Sequence, residues 1–154
     1  MISIRMATRA DIPALAVLLG DLFALEREFS PDRTLQIRGL TLLFEREDAV
    51  RIMVAERHGH IAGMGVLHYT VSTYLGAKVA MLEDVIVAAG ERRKGTGRRL
   101  MAGIIEQARS DGARRITLLA DHDNTAARSF YESFGFARST MIPHRLMLAP
   151  SLQV

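Results

Sequence analysis

Leu82-Glu83-Asp84-Val85-Ile86-Val87-Ala88-Ala89-Gly90-Glu91-Arg92-Arg93-Lys94-Gly95-Thr96-Gly97-Arg98-Arg99-Leu100 changes character twice within nineteen residues. The apolar, β-branched run through Val87 reads as a strand, and Gly95 and Gly97 mark a loop. Leu100, Met101, Ile104, Ile105 and Ala108 then recur at helical spacing, and Gly112 supplies the stop. A strand that passes through a glycine loop into a helix offers free backbone N–H groups and the positive end of a helix dipole to an anion. Arg92, Arg93, Lys94, Arg98 and Arg99 add attraction for a polyanion such as a pyrophosphate. The same residues also fit a solvated basic helix start whose glycines serve only a turn. The run is not a P-loop, because no Lys-Ser or Lys-Thr follows Gly97, and it lacks the third glycine of a dinucleotide fingerprint.

Upstream, Ile2 and Ile4 alternate with Ser3 and Arg5 as in a half-buried strand. Ile12, Leu15, Leu18, Leu19, Leu22 and Phe23 form a helical stripe, and Ser30-Pro31 announces a second helix with Ile37, Leu40, Leu43 and Phe44 on one face. Val50 to Arg57, Ile61 to Tyr74 and Val79 to Val87 read as a three-stranded meander, with turns at His58-Gly59-His60 and Leu75-Gly76-Ala77-Lys78. Downstream, Arg115 to Ala120 is expected as a buried strand and Asn124 to Phe134 as a helix closed by Gly135. Phe136 to Met141 with Arg145 to Leu148 is expected as a final hairpin. The order β-α-α-β-β-β-α-β-α-β-β, with no repeat or linker, predicts one mixed α/β (α+β) domain over residues 1–154: a mostly antiparallel sheet flanked by helices.

The 154 residues are 49% hydrophobic and 24% charged, enough for a real core and against disorder. There is no cysteine, which excludes disulfides, thiolate metal sites and a cysteine nucleophile. The net charge is only +3, although all but two of the 20 cations are arginine, whose planar fork suits phosphate and carboxylate. His58 to Ala77 carries no formal charge, but three histidines and four glycines exclude a membrane helix. The apolar run Ile12 to Leu19 lacks a cleavage pattern, so a cytoplasmic protein without membrane association is expected. His58, His60 and His68 have no acidic partner in sequence and are expected to bind no metal.

A second constellation is Asn124-Thr125-Ala126-Ala127-Arg128-Ser129-Phe130-Tyr131-Glu132-Ser133-Phe134-Gly135-Phe136. Asn124 can cap a helix, and Tyr131 lies two turns along the same face. Together, Arg92-x-x-Gly95-x-Gly97 after a strand and Asn124-x-x-Ala127-x-x-x-Tyr131-x-x-x-Gly135-Phe136 downstream resemble the GNAT superfamily of acetyl-CoA-dependent N-acetyltransferases. The order of elements matches from Ile2 to Leu148. The resemblance implies that Arg92, Arg93, Lys94, Gly95, Thr96 and Gly97 bind the pyrophosphate of coenzyme A, with Arg98 continuing into the helix. It implies that the backbone of Val85, Ile86 and Val87 pairs with the pantetheine arm, that Asn124 lies near that arm, and that Tyr131 lies near the thioester sulfur.

The implied chemistry is direct attack of a neutral primary amine on the acetyl carbonyl, with no acyl-enzyme. Such a site needs a base for the incoming ammonium and an acid for the departing thiolate. Tyr131 is the candidate acid and Glu83 the candidate base, with Asp84 as the alternative because strand neighbours face opposite sides. Glu26, Glu28 and Asp32 fit either an acidic acceptor rim or a solvated face. The acceptor, a small molecule or a peptide, is not legible, and a homodimer is compatible with the resemblance. The competing class is a non-catalytic acyl-CoA-binding or regulatory module, which would keep Arg92 to Gly97 and need no Tyr131. Nucleic-acid binding is disfavoured because the arginine cluster has no interleaved aromatics.

Overall fold

A computed structural model describes residues 1–149, which divide into two compact units, one spanning Met1–Leu119 and the other beginning at Ala120. The single-domain expectation for residues 1–154 extends past the described residues. The first unit is built on a five-stranded sheet in the order β1 (Ile2–Met6), β2 (Val50–Arg57), β3 (His60–Ser72), β4 (Ala77–Val87) and β5 (Ile116–Leu118). The first four pair antiparallel and β5 joins β4 in parallel, which makes the fold the expected mixed, mostly antiparallel one. His58 and Gly59 both adopt positive φ in the tight turn between β2 and β3.

Helices α1 (Ile12–Leu25) and α2 (Arg33–Phe44) cover one face of the sheet. Leu15, Ala16, Leu18, Leu19 and Leu40 pack there against Val50, Ile52, Val54, Met64, Val66 and Ile86. The second helix starts later than Ser30-Pro31 suggests, because Asp32 is the cap and its side chain accepts from the Leu35 amide at 3.0 Å. Gly39 does not interrupt it.

Helix α3 (Thr96–Ser110) covers the opposite face with Leu100, Met101, Ile104 and Ala108, all fully buried. Gly103 permits its close approach, since a Cβ there would stand 2.5 Å from Ile4 Cγ2 of β1. The far end of α3 is tied to the sheet through Asp111. Its carboxylate accepts from the Tyr69 hydroxyl at 2.7 Å and pairs with Arg51 Nε at 3.2 Å, and its carbonyl accepts from Lys78 Nζ at 3.0 Å. With its C-terminus fixed in this way, α3 directs its N-terminus toward the loop after β4.

Two expectations need correction. The strand expected over Arg115 to Ala120 is only three residues long and half-buried, as suits a sheet edge. The final hairpin is absent: residues 136–149 contain no strand, and Met141, Ile142, Leu146, Met147 and Leu148 are 67% to 92% exposed. Pro143 interrupts any ladder there, and apolar side chains left in water give a strand nothing to gain. Among the described residues of the second unit the regular element is α4 (Thr125–Glu132). Among the described residues, no helix is long and apolar enough to cross a membrane.

Candidate active site

The C-terminal half of β4 departs from regular strand geometry in two ways. Parallel pairing with β5 stops at Leu82 opposite Leu118, so from Glu83 to Val87 that edge has no strand partner among the described residues. On the other edge the register jumps from Val66 opposite Glu83 to Met64 opposite Ile86, leaving Gly65 to face both Asp84 and Val85. This is a β-bulge, and Asp84 takes it up with a left-handed backbone, φ 54°. The result is a strand end with one edge lacking a partner strand and a carboxylate at the bulge in its middle.

Past Val87 a 3-10 turn, Ala89–Glu91, leads into the exposed Arg92 to Gly95 loop. Arg93 and Gly95 both have positive φ, 58° and 80°, and Gly95 is the N-cap of α3. Left-handed residues in such a turn can direct backbone N–H groups to one side, and the first N–H groups of α3 have no partner inside the helix. Arg92, Arg93, Lys94, Arg98 and Arg99 are all exposed along this loop and the first turn of α3. Thr96 differs from its neighbours: it is fully buried and its hydroxyl has no hydrogen-bond partner.

Glu83 is half-exposed, with Oε2 3.4 Å from Nε2 of His68 on β3, an ion pair whenever the imidazole carries its second proton. Burial pushes the Asp84 carboxyl up to about 6, and the charges of Glu83 and of Glu26, at the end of α1, push in the same direction. The bulge falls at the Glu83–Asp84 pair, where regular strand alternation is interrupted. Glu26, which the sequence left as either part of an acidic rim or a solvated face, is one of the charges that act on Asp84. His68 was not legible as Glu83's neighbour; it lies two positions along β3 from Val66, which faces Glu83.

In the second unit, Asn124 caps α4, its Oδ1 accepting from the Ala127 amide at 3.0 Å. Tyr131 is half-buried, with its ring 5.5 Å from that of Phe130 and 5.9 Å from that of Phe136. The first unit thus carries Glu83, Asp84, Val85 to Val87 and Arg92 to Arg98, and the second carries Asn124 and Tyr131. Among the described residues, no group of three or more His, Asp or Glu side chains is arranged to hold a metal ion.

Residues 18–136 match the model of the acetyltransferase (GNAT) family. The chain belongs to the GNAT acetyltransferase family. This membership makes it an N-acetyltransferase. It is 30% identical over 149 residues to the uncharacterized N-acetyltransferase YhfO of Bacillus subtilis, covering 97% of this chain and 99% of that one. The L-amino acid N-acyltransferase MnaT of Escherichia coli is 24% identical over 143 residues, 92% of this chain and 83% of MnaT. Among solved structures, an acetyltransferase of Trypanosoma brucei superposes with a TM-score of 0.74 at 26% identity, over 96% of this chain and 100% of the other. As a GNAT enzyme the chain takes an amine acceptor.

Proposed function

We propose that this enzyme moves the acetyl group of acetyl-CoA to a primary amine by direct attack, without an acyl-enzyme. The observation that carries the reading is the continuity of three features of the first unit. The edge of β4 without a partner strand runs through a turn with left-handed residues into the N-terminus of α3, along which five exposed cationic residues lie. An extended arm ending in a pyrophosphate is complementary to that path. The arm's amides would pair with the backbone of Val85 to Val87, and the phosphate oxygens would accept from the N–H groups of residues 93–98.

The proton chemistry falls to side chains. An amine arrives as ammonium and must lose a proton before it can attack. The Glu83–Asp84 pair supplies the base: Asp84, with its carboxyl near 6, holds a basicity suited to neutral pH, while Glu83 stands open to water and can exchange the proton. Tyr131 donates to the departing thiolate, since a phenol and a thiol have comparable acidities. Asn124, whose Oδ1 is engaged as a cap, keeps its amide N–H groups for the arm. The acceptor is a small molecule or a peptide amine.

The test is thiol release from acetyl-CoA across a panel of amines that includes free amino acids, amino sugars, polyamines and a peptide N-terminus. Turnover on at least one class supports the reading, and its absence, despite coenzyme A binding, would favour a non-catalytic acyl-CoA module. On the best acceptor, Tyr131→Phe is expected to lower kcat by roughly ten- to a thousandfold with acetyl-CoA affinity nearly intact. Full turnover by that variant would remove Tyr131 from the mechanism.

A further inference from the structure

The turn between β4 and α3 is braced from two sides. Glu91 Oε2 lies 2.8 Å from Nε of Arg57, the last residue of β2, and its Oε1 accepts from Lys94 Nζ at 3.4 Å. Arg92, the next residue, bends back and donates its Nε–H to the Val87 carbonyl at 3.0 Å. Val87 ends β4, on the stretch without a β5 partner, so this carbonyl belongs to the strand end against which the arm would lie. The hydrogen bond closes residues 87–92 into a ring and fixes the direction from which Arg93 to Gly97 depart.

We propose that Arg92 is a positioning residue, serving the coenzyme site through the hydrogen bond from its Nε to Val87 and not through its positive charge. This rests on the reading of the loop as a pyrophosphate cradle. Redundancy separates the two roles. Arg93, Lys94, Arg98 and Arg99 also carry charge around the loop, so deleting one of five cations changes the long-range field modestly. The Val87 carbonyl accepts from the Arg92 side chain, and losing that bond removes the tie between the loop and the end of β4, a tie that the Glu91 ion pairs do not replace.

Side-chain geometry allows a clean experiment. Nε of arginine, Nε2 of glutamine and Cε of methionine stand the same number of bonds from Cα. Arg92→Gln therefore keeps a donor without the charge, and Arg92→Met keeps the reach without the donor. Two measurements are needed: calorimetry with coenzyme A at low and high salt, and melting curves of the ligand-free proteins. Arg92→Gln should bind within about threefold of the parent, whereas Arg92→Met should lose roughly tenfold, a difference that salt does not erase. In the ligand-free proteins Arg92→Gln should melt with the parent and Arg92→Met below both. Equal losses of affinity in both variants that shrink at high salt would assign the effect to charge and overturn the proposal, as would unchanged affinity in both. A parent that fails to bind coenzyme A would refute the cradle. The melting order would still decide the brace, and Arg92→Gln melting with Arg92→Met would overturn it.

Discussion

Asp84 combines a left-handed backbone with a carboxyl held near 6. For a residue with a Cβ that backbone costs about 1 kcal/mol, least for Asp and Asn, and such costs collect where a side chain must be aimed. If Asp84 takes the proton, Asp84→Asn should lower kcat/KM at neutral pH by roughly a hundredfold or more with coenzyme A affinity preserved. Glu83→Gln removes a neighbouring negative charge, lowers the Asp84 carboxyl and should move the acidic limb of the rate profile to lower pH. The reverse pattern, with Glu83→Gln inactive and Asp84→Asn active, would make Glu83 the base. Thr96 offers a test of stability alone. Its buried hydroxyl has no partner, so the isosteric Thr96→Val should gain about 1 kcal/mol and raise the melting temperature by roughly 2 to 4 °C. A lower melting temperature would mean that the hydroxyl is satisfied in solution.

Helices α1 and α2 are joined by one buried polar side chain as well as by leucines. Gln36, 7% exposed, donates Nε2–H to the Ala16 carbonyl at 2.6 Å and accepts from the Asp32 amide at 2.9 Å. Gln36→Ala leaves both backbone groups without that partner and should cost about 1 to 3 kcal/mol in denaturant unfolding; an unchanged midpoint would show the leucine contacts to suffice. Elements whose signal is periodicity were legible from sequence: the α1 stripe, the α3 stripe, the His58-Gly59 turn and the strands on either side of it. The bulge in β4 was not, because it arises from how many residues of β3 stand opposite, a property of the pair and not of either strand. For the same reason the choice between Glu83 and Asp84, which rests on regular alternation, could not be made from the sequence. The apolar residues after Phe136 mimic strand composition, but composition does not say whether a surface exists to bury them. At the candidate site, Arg92 to Gly97 could be read directly, since glycines and cations sit together in sequence. His68 could not, because only strand pairing brings it to Glu83.

The carboxylates set opposing trends in stability with pH. The Arg5 guanidinium, hydrogen-bonded to Asp11, holds that carboxyl down to about 2. Burial alone would raise Asp111, but hydrogen bonds from Tyr69 and Gln107 and the charges of Arg51 and Lys78 leave it below its ordinary value. Both contribute stability that is complete above an unfolded value of about 4 and is lost as pH falls through the folded values. Asp84 works in the other direction: its folded carboxyl is raised, so its contribution is complete below about pH 4 and is lost as pH rises through about 6. The melting temperature of the ligand-free protein should therefore climb to about pH 4 and decline from there toward pH 6, and Asp84→Asn should abolish the decline. A parent curve flat across that window would show that Asp84 does not titrate there. The contact between Ile4 and Gly103 bears on the order in which the molecule can be assembled. Strand β1 is made before the other described elements, yet its ladder partner is β2 and its cover is α3, so both its edge and its face wait for segments made later. Helices α1 and α2 can meet each other long before that, through contacts close in sequence that form quickly. Of the strands described, β1 is the earliest made and among the last to be seated.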